Sequence, residues 1–388
     1  MNYNHPVRNS STVGIHLMCA IVFLIFSFVW IYLFQTDLLA AGQYVLSGGR
    51  THYKPLLSAV VVTLGLQLLQ FIVYALLRLQ KRSHALTYLP SMLLLAAFTD
   101  VSSDIAEGYS LGAWWWVLPL VLAVWLRVVL LARSLQEVEP VESCGLFSRP
   151  MWINLFVMLV LILVVAASSN TNAVFHYRMK AEAALLRGDY EGALDAGWES
   201  LECDADLQLV RMYALARRGE LGERLFRYPI AAPSSAMLPT SGKSHTLLYP
   251  VDSIYRYFGA KPARPMSPEA YLRAIERRDS AAIAKTADWE LCGLLIDRRI
   301  DDFVIRAKDI YGLRDSRDID RLPRHYREAF TLYTHLRARP LMVYHNAVMD
   351  EDFRNLQELE AHYTDPSERK GRVEEQYRLT YWFYYEYL

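Results

Sequence analysis

Three acidic side chains in the N-terminal half are the residues of this sequence best placed to do chemistry. Asp100 and Asp104 are four positions apart, so on a helix they lie on one face, and Glu107 follows within one turn. They come directly after an apolar run, where ionisable side chains are costly and often functional. Carboxylates there can bind a cation or relay protons. A solvated position just beyond the hydrocarbon explains the same residues without any function.

Two other patterns resemble functional motifs but lack the spacing or the residues that those motifs require. His325 and His335 are ten residues apart and no HExxH is present, so His325 is predicted to be a hydrogen-bonded residue on a helix surface. The run Thr240–Ser244 resembles the tail of a phosphate-binding loop, but Met237 stands where its leading glycine belongs. We therefore predict no catalytic residue, metal or cofactor, which favours a binding role over an enzyme.

The four cysteines lie far apart and form no metal-binding motif. Cys203 and Cys292 are the two that can pair if their domain lies in an oxidising compartment, and two separately buried thiols are the favoured alternative. Cys19 lies in an apolar run without a lipoprotein cleavage box before it, so lipidation is not predicted.

Apolar runs in the first 168 residues must position the acidic cluster. About 20 helical residues cross a hydrocarbon core of roughly 30 Å. The lengths of the runs predict about five spans, near residues 13–34, 55–77, 85–99, 111–131 and 151–167. The third run is short, and it is either a crossing or a re-entrant element. The polar residues at span depth or edge are attributed to packing and snorkelling: His16, Gln67, Gln70 and Arg127.

Basic residues in the short loops predict the orientation, because cytoplasmic loops carry an excess of Lys and Arg. With a cytoplasmic N-terminus and five crossings, the inner side receives Arg8, Arg78, Lys81, Arg82, Arg127, Arg133 and Arg149. The outer side receives only Arg50 and Lys54. The C-terminal half is then predicted to be periplasmic and anchored in the bacterial inner membrane. Four crossings would place it in the cytoplasm.

Charge divides the chain into two halves. The whole chain has 41 basic and 41 acidic residues, and most of both lie after residue 169. This contrast is typical of a membrane module, residues 1–168, joined to a water-facing domain, residues 169–388. The basic excess that nucleic-acid binding requires is absent. The predicted partners are the lipid bilayer and a protein.

The start of the water-facing domain resembles a tetratricopeptide repeat. Gly188 is predicted to end a first helix in the left-handed conformation, Tyr190 to fill the hairpin, and Ala193 to permit close helix contact, with Leu201 completing the repeat core. Gly219 begins a second, degenerate copy at a similar spacing.

Later segments predict further helices around a break. A proline-rich loop near residues 229–268 interrupts the helical pattern, with a short helix at Ser253–Phe258. Amphipathic helices resume after it and end in an aromatic C-terminal helix, Val373–Leu388, which is predicted to pack on the helical domain. The fold class is therefore all-α: a transmembrane bundle followed by tetratricopeptide-like hairpins.

The order of these features resembles an uncharacterised family of Bacteroidota membrane proteins. The segments that carry the resemblance are Arg187–Leu201, Leu221–Phe226 and Leu322–Ala329. It implies a location and a fold but no activity. The expected function is an envelope scaffold whose periplasmic helical domain binds a protein. The alternative is a membrane enzyme or transporter that uses Asp100, Asp104 and Glu107 at the mouth of the bundle.

Overall fold

A computed structural model describes residues 7–102, 105, 112–134 and 148–388, and these residues form helices without any strand. They divide into an N-terminal unit, residues 1–172, and a C-terminal unit, residues 173–388. The all-α fold class is confirmed. The predicted division after residue 168 is close to the observed one. The N-terminal unit extends slightly further because the side chain of Asn170 donates to the carbonyl oxygen of Val101 (2.7 Å).

Four helices of the N-terminal unit are long and apolar enough to cross a membrane. The first continues for one turn as a π-helix, Trp30–Phe34, and the third predicted run begins with a 3-10 segment, Lys81–Tyr88. The α-helices of this unit are α1 (Val7–Val29), α2 (Thr36–Leu46), α3 (Pro55–Leu77), α4 (Leu89–Thr99), α5 (Trp114–Ser134) and α6 (Arg149–Ser168).

The third predicted run is not a single α-helix, because α4 has only 11 residues. Together with the 3-10 segment before it, however, this third segment (Lys81–Thr99) lies along almost all of α6. At one end, the Ala85 N–H donates to the side chain of Asn154 (2.7 Å). At the other, the hydroxyls of Thr99 and Ser169 are 2.6 Å apart. From Asn154 to Ser169, α6 rises about 22 Å.

Helix α5 runs beside the third segment in the opposite direction. The indole N–H of Trp114 donates to the carboxylate of Asp100 (2.8 Å), and that of Trp125 donates to the carbonyl oxygen of Leu86 (2.9 Å). The third segment therefore runs parallel to α6 and antiparallel to α5, as one member of an up-and-down bundle.

The C-terminal unit is built from short helices around one apolar core, whose largest buried side chains include Trp289, Tyr213 and Phe330. Its α-helices are α7 (Ala173–Leu186), α8 (Tyr190–Asp195), α9 (Ala205–Arg218), α10 (Leu221–Arg224), α11 (Val251–Phe258), α12 (Pro268–Arg278), α13 (Ile283–Ile296), α14 (Ile300–Tyr311), α15 (Ser316–Ile319), α16 (Arg324–Leu336), α17 (Ala347–His362), α18 (Pro366–Tyr377) and α19 (Tyr381–Tyr387).

Local sequence signals explain where α9 begins and ends. The carboxylate of Asp204 accepts the N–H of Leu207 (2.7 Å), which caps the first turn. Gly219 then adopts φ +71°, the left-handed conformation that ends helices at low cost. The partner helices in this region are short, since α8 has six residues and α10 has four. In each hairpin, one full helix (α7 or α9) therefore pairs with a helix of only one or two turns.

The aromatic C-terminus packs on the core as predicted, but it forms two helices rather than one. Thr380 separates α18 from α19 and caps the latter by accepting the N–H of Phe383 (3.3 Å). The four aromatic side chains that follow it are buried: Tyr381, Trp382, Phe383 and Tyr384.

Candidate functional site

Of the three predicted acidic residues, only Asp100 lies among the described residues; Asp104 and Glu107 lie outside them. Asp100 follows the last residue of α4, is exposed, and accepts the indole N–H of Trp114 (2.8 Å). Its position is therefore at the end of the bundle, as the sequence indicates.

Beside Asp100, a cavity of about 730 Å³ opens in the N-terminal unit between α2, α3 and α4. Its walls are mainly apolar. Ile31, Val62 and Leu95 lie toward the bundle interior, each one to two helical turns from the end of its span. Gln43, Tyr53, Asp100 and other polar residues lie at the bundle end. The cavity is thus apolar at depth and polar at its mouth.

Polar side chains inside the bundle bond to one another, so snorkelling does not explain them. The amide of Gln67 donates to that of Gln70 (2.8 Å), which in turn donates to the hydroxyl of Thr87 (2.8 Å). His16 stacks on His84, with ring centroids 3.9 Å apart. These contacts join α1 and α3 to the 3-10 segment, and buried polar pairs of this kind are the usual links between membrane helices.

The predicted repeat-core residues occupy different environments. Gly188 has φ +75° and ends α7, and Ala193 is fully buried, in accordance with their predicted roles. Tyr190 is partly buried against the core, with the guanidinium of Arg217 over its ring at 4.9 Å. Leu201 is 60% exposed because α8 ends six residues before it, so it is not part of a repeat core. Gly219 ends α9, as described above.

A buried carboxylate attaches the proline-rich segment to the first hairpin. Glu182 on α7 is fully buried, and one of its oxygens accepts the N–H groups of Leu247, Leu248 and Tyr249 at 2.6–3.0 Å. Its other oxygen accepts from Arg178 (2.8 Å). Three backbone donors and one guanidinium therefore converge on one side chain.

Neighbouring polar residues extend this attachment. The guanidinium of Arg178 also pairs with Asp206, which accepts the backbone N–H of His245 (2.6 Å). On α9, the side chain of Gln208 accepts the N–H groups of Ala231 and Ala232, both at 2.9 Å. Side chains of α7 and α9 therefore hold the chain's own segment 231–249.

His325 is buried, not on the helix surface as predicted. Its Nε2 accepts the N–H of Phe226 (3.2 Å), so Nδ1 carries the proton and donates to Glu328 (2.8 Å). Glu328 also accepts from Arg324 (2.8 Å) and from the N–H of Tyr381 (2.8 Å). Burial raises the pKa of the Glu328 carboxyl, but these donors outweigh it and hold the pKa below its ordinary value. The pair joins α16 to α19.

Cys203 and Cys292 are free thiols, as the favoured alternative predicts, but only Cys292 is buried and Cys203 is partly exposed. Burial raises the pKa of Cys203 to about 11 and that of Cys292 still further, so neither is a nucleophile near neutral pH. Within the described ranges, no group of three or more His, Cys, Asp or Glu side chains is arranged to hold a metal ion.

An open groove crosses the surface of the C-terminal unit. Two adjoining cavities of about 200 and 390 Å³ share Ile230, Tyr384 and Leu388, and we call them together the C-terminal groove. Trp198 and Leu201 line one end and are 56% and 60% exposed. No sequence pattern indicated this groove, because its walls come from four separate parts of the chain, near residues 198–201, 226–233, 296–298 and 374–388.

The fold and these sites define a helical protein with membrane-spanning-type helices in one unit and a helical-hairpin domain in the other. Comparison of the chain with protein-family models, with curated proteins and with solved structures finds no match. The resemblance to the Bacteroidota family and to tetratricopeptide repeats therefore stays a prediction.

Proposed function

We propose that this protein is a membrane-anchored scaffold whose C-terminal unit binds a protein partner outside the cytoplasm. The observation that carries the proposal is the C-terminal groove, which exposes Trp198 and Leu201. Large exposed apolar side chains beside a concave surface are typical of docking sites. The polar clusters around Glu182 and Glu328, by contrast, have their hydrogen bonds satisfied within the chain and stabilise the fold.

The proposed location depends on five crossings. The third segment lies beside about 22 Å of α6, so a bilayer that α6 crosses would also contain the third segment. Five crossings and the loop charges then support a cytoplasmic N-terminus and a periplasmic C-terminal unit.

We expect a reporter fused after Leu388 to be active when it requires export and inactive when it requires the cytoplasm. The physical reason is the odd number of crossings combined with the basic inner loops. The measurement compares the two reporters on the full chain in bacterial cells, with fusions after Arg82 as the control for an inner loop. An active cytoplasmic reporter at Leu388 would contradict the proposed location and reduce the crossings to four.

The groove favours a partner segment that presents a large apolar side chain next to a carboxylate. Its smaller cavity, about 200 Å³, contains Arg227, Arg378 and Glu374. In the larger cavity, Asp297 is already occupied by the N–H (3.0 Å) and hydroxyl (2.5 Å) of Ser234. The smaller cavity has two basic side chains, Arg227 and Arg378, and one acidic side chain, Glu374. A partner with an acidic side chain complements this charge.

A photoreactive benzoylphenylalanine at position 198 is expected to give a discrete cross-linked product in the native host. The same residue at position 305 is the matched control, because Ile305 is 58% exposed on α14 and is not among the residues that line the groove. Mass spectrometry should place the cross-link in a segment with an apolar residue beside Asp or Glu.

Charge reversal at the groove tests the proposed chemistry of the partner. Arg378→Glu should lower the cross-linking yield at position 198 about tenfold, because like charges then meet in the interface. Equal products from positions 198 and 305, or a yield that Arg378→Glu leaves unchanged, would refute this docking surface.

A further inference from the structure

The cavity beside Asp100 has the features of a lipid site. It measures about 730 Å³, within the usual range for ligand pockets, and most of its exposed surface is apolar. Its lining includes Leu46 and Phe98, which are 58% and 52% exposed in the N-terminal unit. Where a bilayer surrounds this part of the unit, these apolar side chains suit contact with acyl chains.

The polarity of the cavity matches an amphiphile with its polar end at the bundle end. The inner wall, formed by Ile31, Val62 and Leu95, offers no hydrogen-bonding side chain, and water needs polar partners to occupy a cavity. At the mouth, the hydroxyl of Tyr53 is buried, with the side chain of Ser58 beside it. Gln43 and Asp100 stand at the same end.

We propose that this cavity holds one acyl chain of a membrane phospholipid, with the ester and headgroup beside Gln43, Tyr53 and Asp100. The inference requires the membrane location of the N-terminal unit but does not depend on the docking groove. It assigns Asp100 a place at a headgroup instead of a role in proton or cation transfer.

Gly42 provides a way to fill the cavity. A Cβ added to Gly42 would meet Ile105 at 3.5 Å and Val101 at 3.9 Å, both ordinary contacts with residues of the cavity wall. Gly42→Phe therefore directs a large ring into the space without a backbone clash. Gly65→Phe is the matched control, since Gly65 lies on the exposed face of α3 with nothing within 4 Å of its Cβ.

The test uses the full chain in vesicles of phosphatidylethanolamine and phosphatidylglycerol. A trace of phosphatidylethanolamine carries a diazirine at the end of one acyl chain, and labelled residues are mapped by mass spectrometry after illumination. We expect labelling of Ile31, Val62 and Leu95 to exceed that of Leu163, an exposed residue of α6. Gly42→Phe should reduce cavity labelling several-fold, because the added ring occupies space that the acyl chain would otherwise fill.

A second filling variant and a second probe make the outcome decisive. Ala97→Phe, at another residue of the wall, should act like Gly42→Phe, whereas Gly65→Phe should label like the unmodified chain. Labelling of Leu163 reports whether each variant is still inserted. Uniform labelling of all lipid-facing residues, or equal cavity labelling in all variants, would overturn the proposal. So would a diazirine fatty acid that labels the cavity while the phospholipid does not.

Discussion

Replacing Glu182 by alanine is expected to destabilise the C-terminal unit by about 3–5 kcal/mol, the usual cost of removing one partner of a buried charged pair. Three backbone N–H groups, of Leu247, Leu248 and Tyr249, lose their shared acceptor, and the buried guanidinium of Arg178 loses a partner. For a unit of this size, the midpoint of thermal unfolding should fall by roughly 10 °C.

Hydrogen exchange of the full chain in mild detergent distinguishes this mechanism from general destabilisation. Amides 247–249 should exchange before the rest of the unit, because release of the proline-rich segment precedes global unfolding. Glu358→Ala, at an exposed position of α17, is the control and should change stability by less than about 0.5 kcal/mol. Protection of amides 247–249 that matches the unmodified chain would show that Glu182 does not hold this segment.

Glu328→Gln is expected to cost about 3–5 kcal/mol and to detach α19. Glu328 receives donors from His325, Arg324 and the N–H of Tyr381, and an uncharged amide with a single oxygen cannot accept all of them. Amides 381–384 should therefore lose protection from exchange first. Glu351→Gln, an exposed residue of α17, is the matched control.

The same carboxylate predicts a dependence of stability on pH. Its folded pKa lies below the ordinary value, so the unfolded chain binds more protons over the intervening pH range. The stabilisation is complete above the unfolded pKa, about 4.3, and is lost as the pH falls through the folded pKa. Unfolding midpoints measured from pH 6 downward should fall less steeply in Glu328→Gln than in the unmodified chain. Parallel pH profiles would contradict the assignment.

The helices of the C-terminal unit were largely predictable from sequence, because their signals are local. The predicted segment Ser253–Phe258 lies within α11, and Gly188 and Gly219 end helices in the left-handed conformation. Amphipathic period, caps and helix-ending glycines all act over one or two turns. A single sequence therefore contains the information needed to place them.

The number of crossings shows where local signals are insufficient. Residues 85–99 have an apolar composition, but length alone does not decide between a crossing and a re-entrant element. The contacts of Ala85 with Asn154 and of Thr99 with Ser169, 69 and 70 residues apart in the chain, are the observation that supports the proposed crossing. Pairing over such distances is a property of the packed bundle.

The prediction of a repeat-core role for Leu201 was wrong for a related reason. The repeat pattern predicts that this residue completes the repeat core, yet α8 ends at Asp195 and Leu201 is exposed. The opposite error occurred at His325, which was predicted to lie on the surface and is buried. His325 reads as a surface residue until Phe226, 99 positions away, and Glu328 supply its hydrogen-bond partners.

The sequence by itself determined the all-α class, the apolar character of the spans, the two-part organisation and most helix ends. Each of these follows from hydrophobic periodicity and backbone preferences within a few residues. Only the tertiary structure decided that the faces of α7 and α9 are occupied by residues 231–249, that Glu182 and Glu328 are buried, and that a cavity opens beside Asp100. Burial of a polar group is stable only with its partners in place, and those partners meet only when distant segments pack.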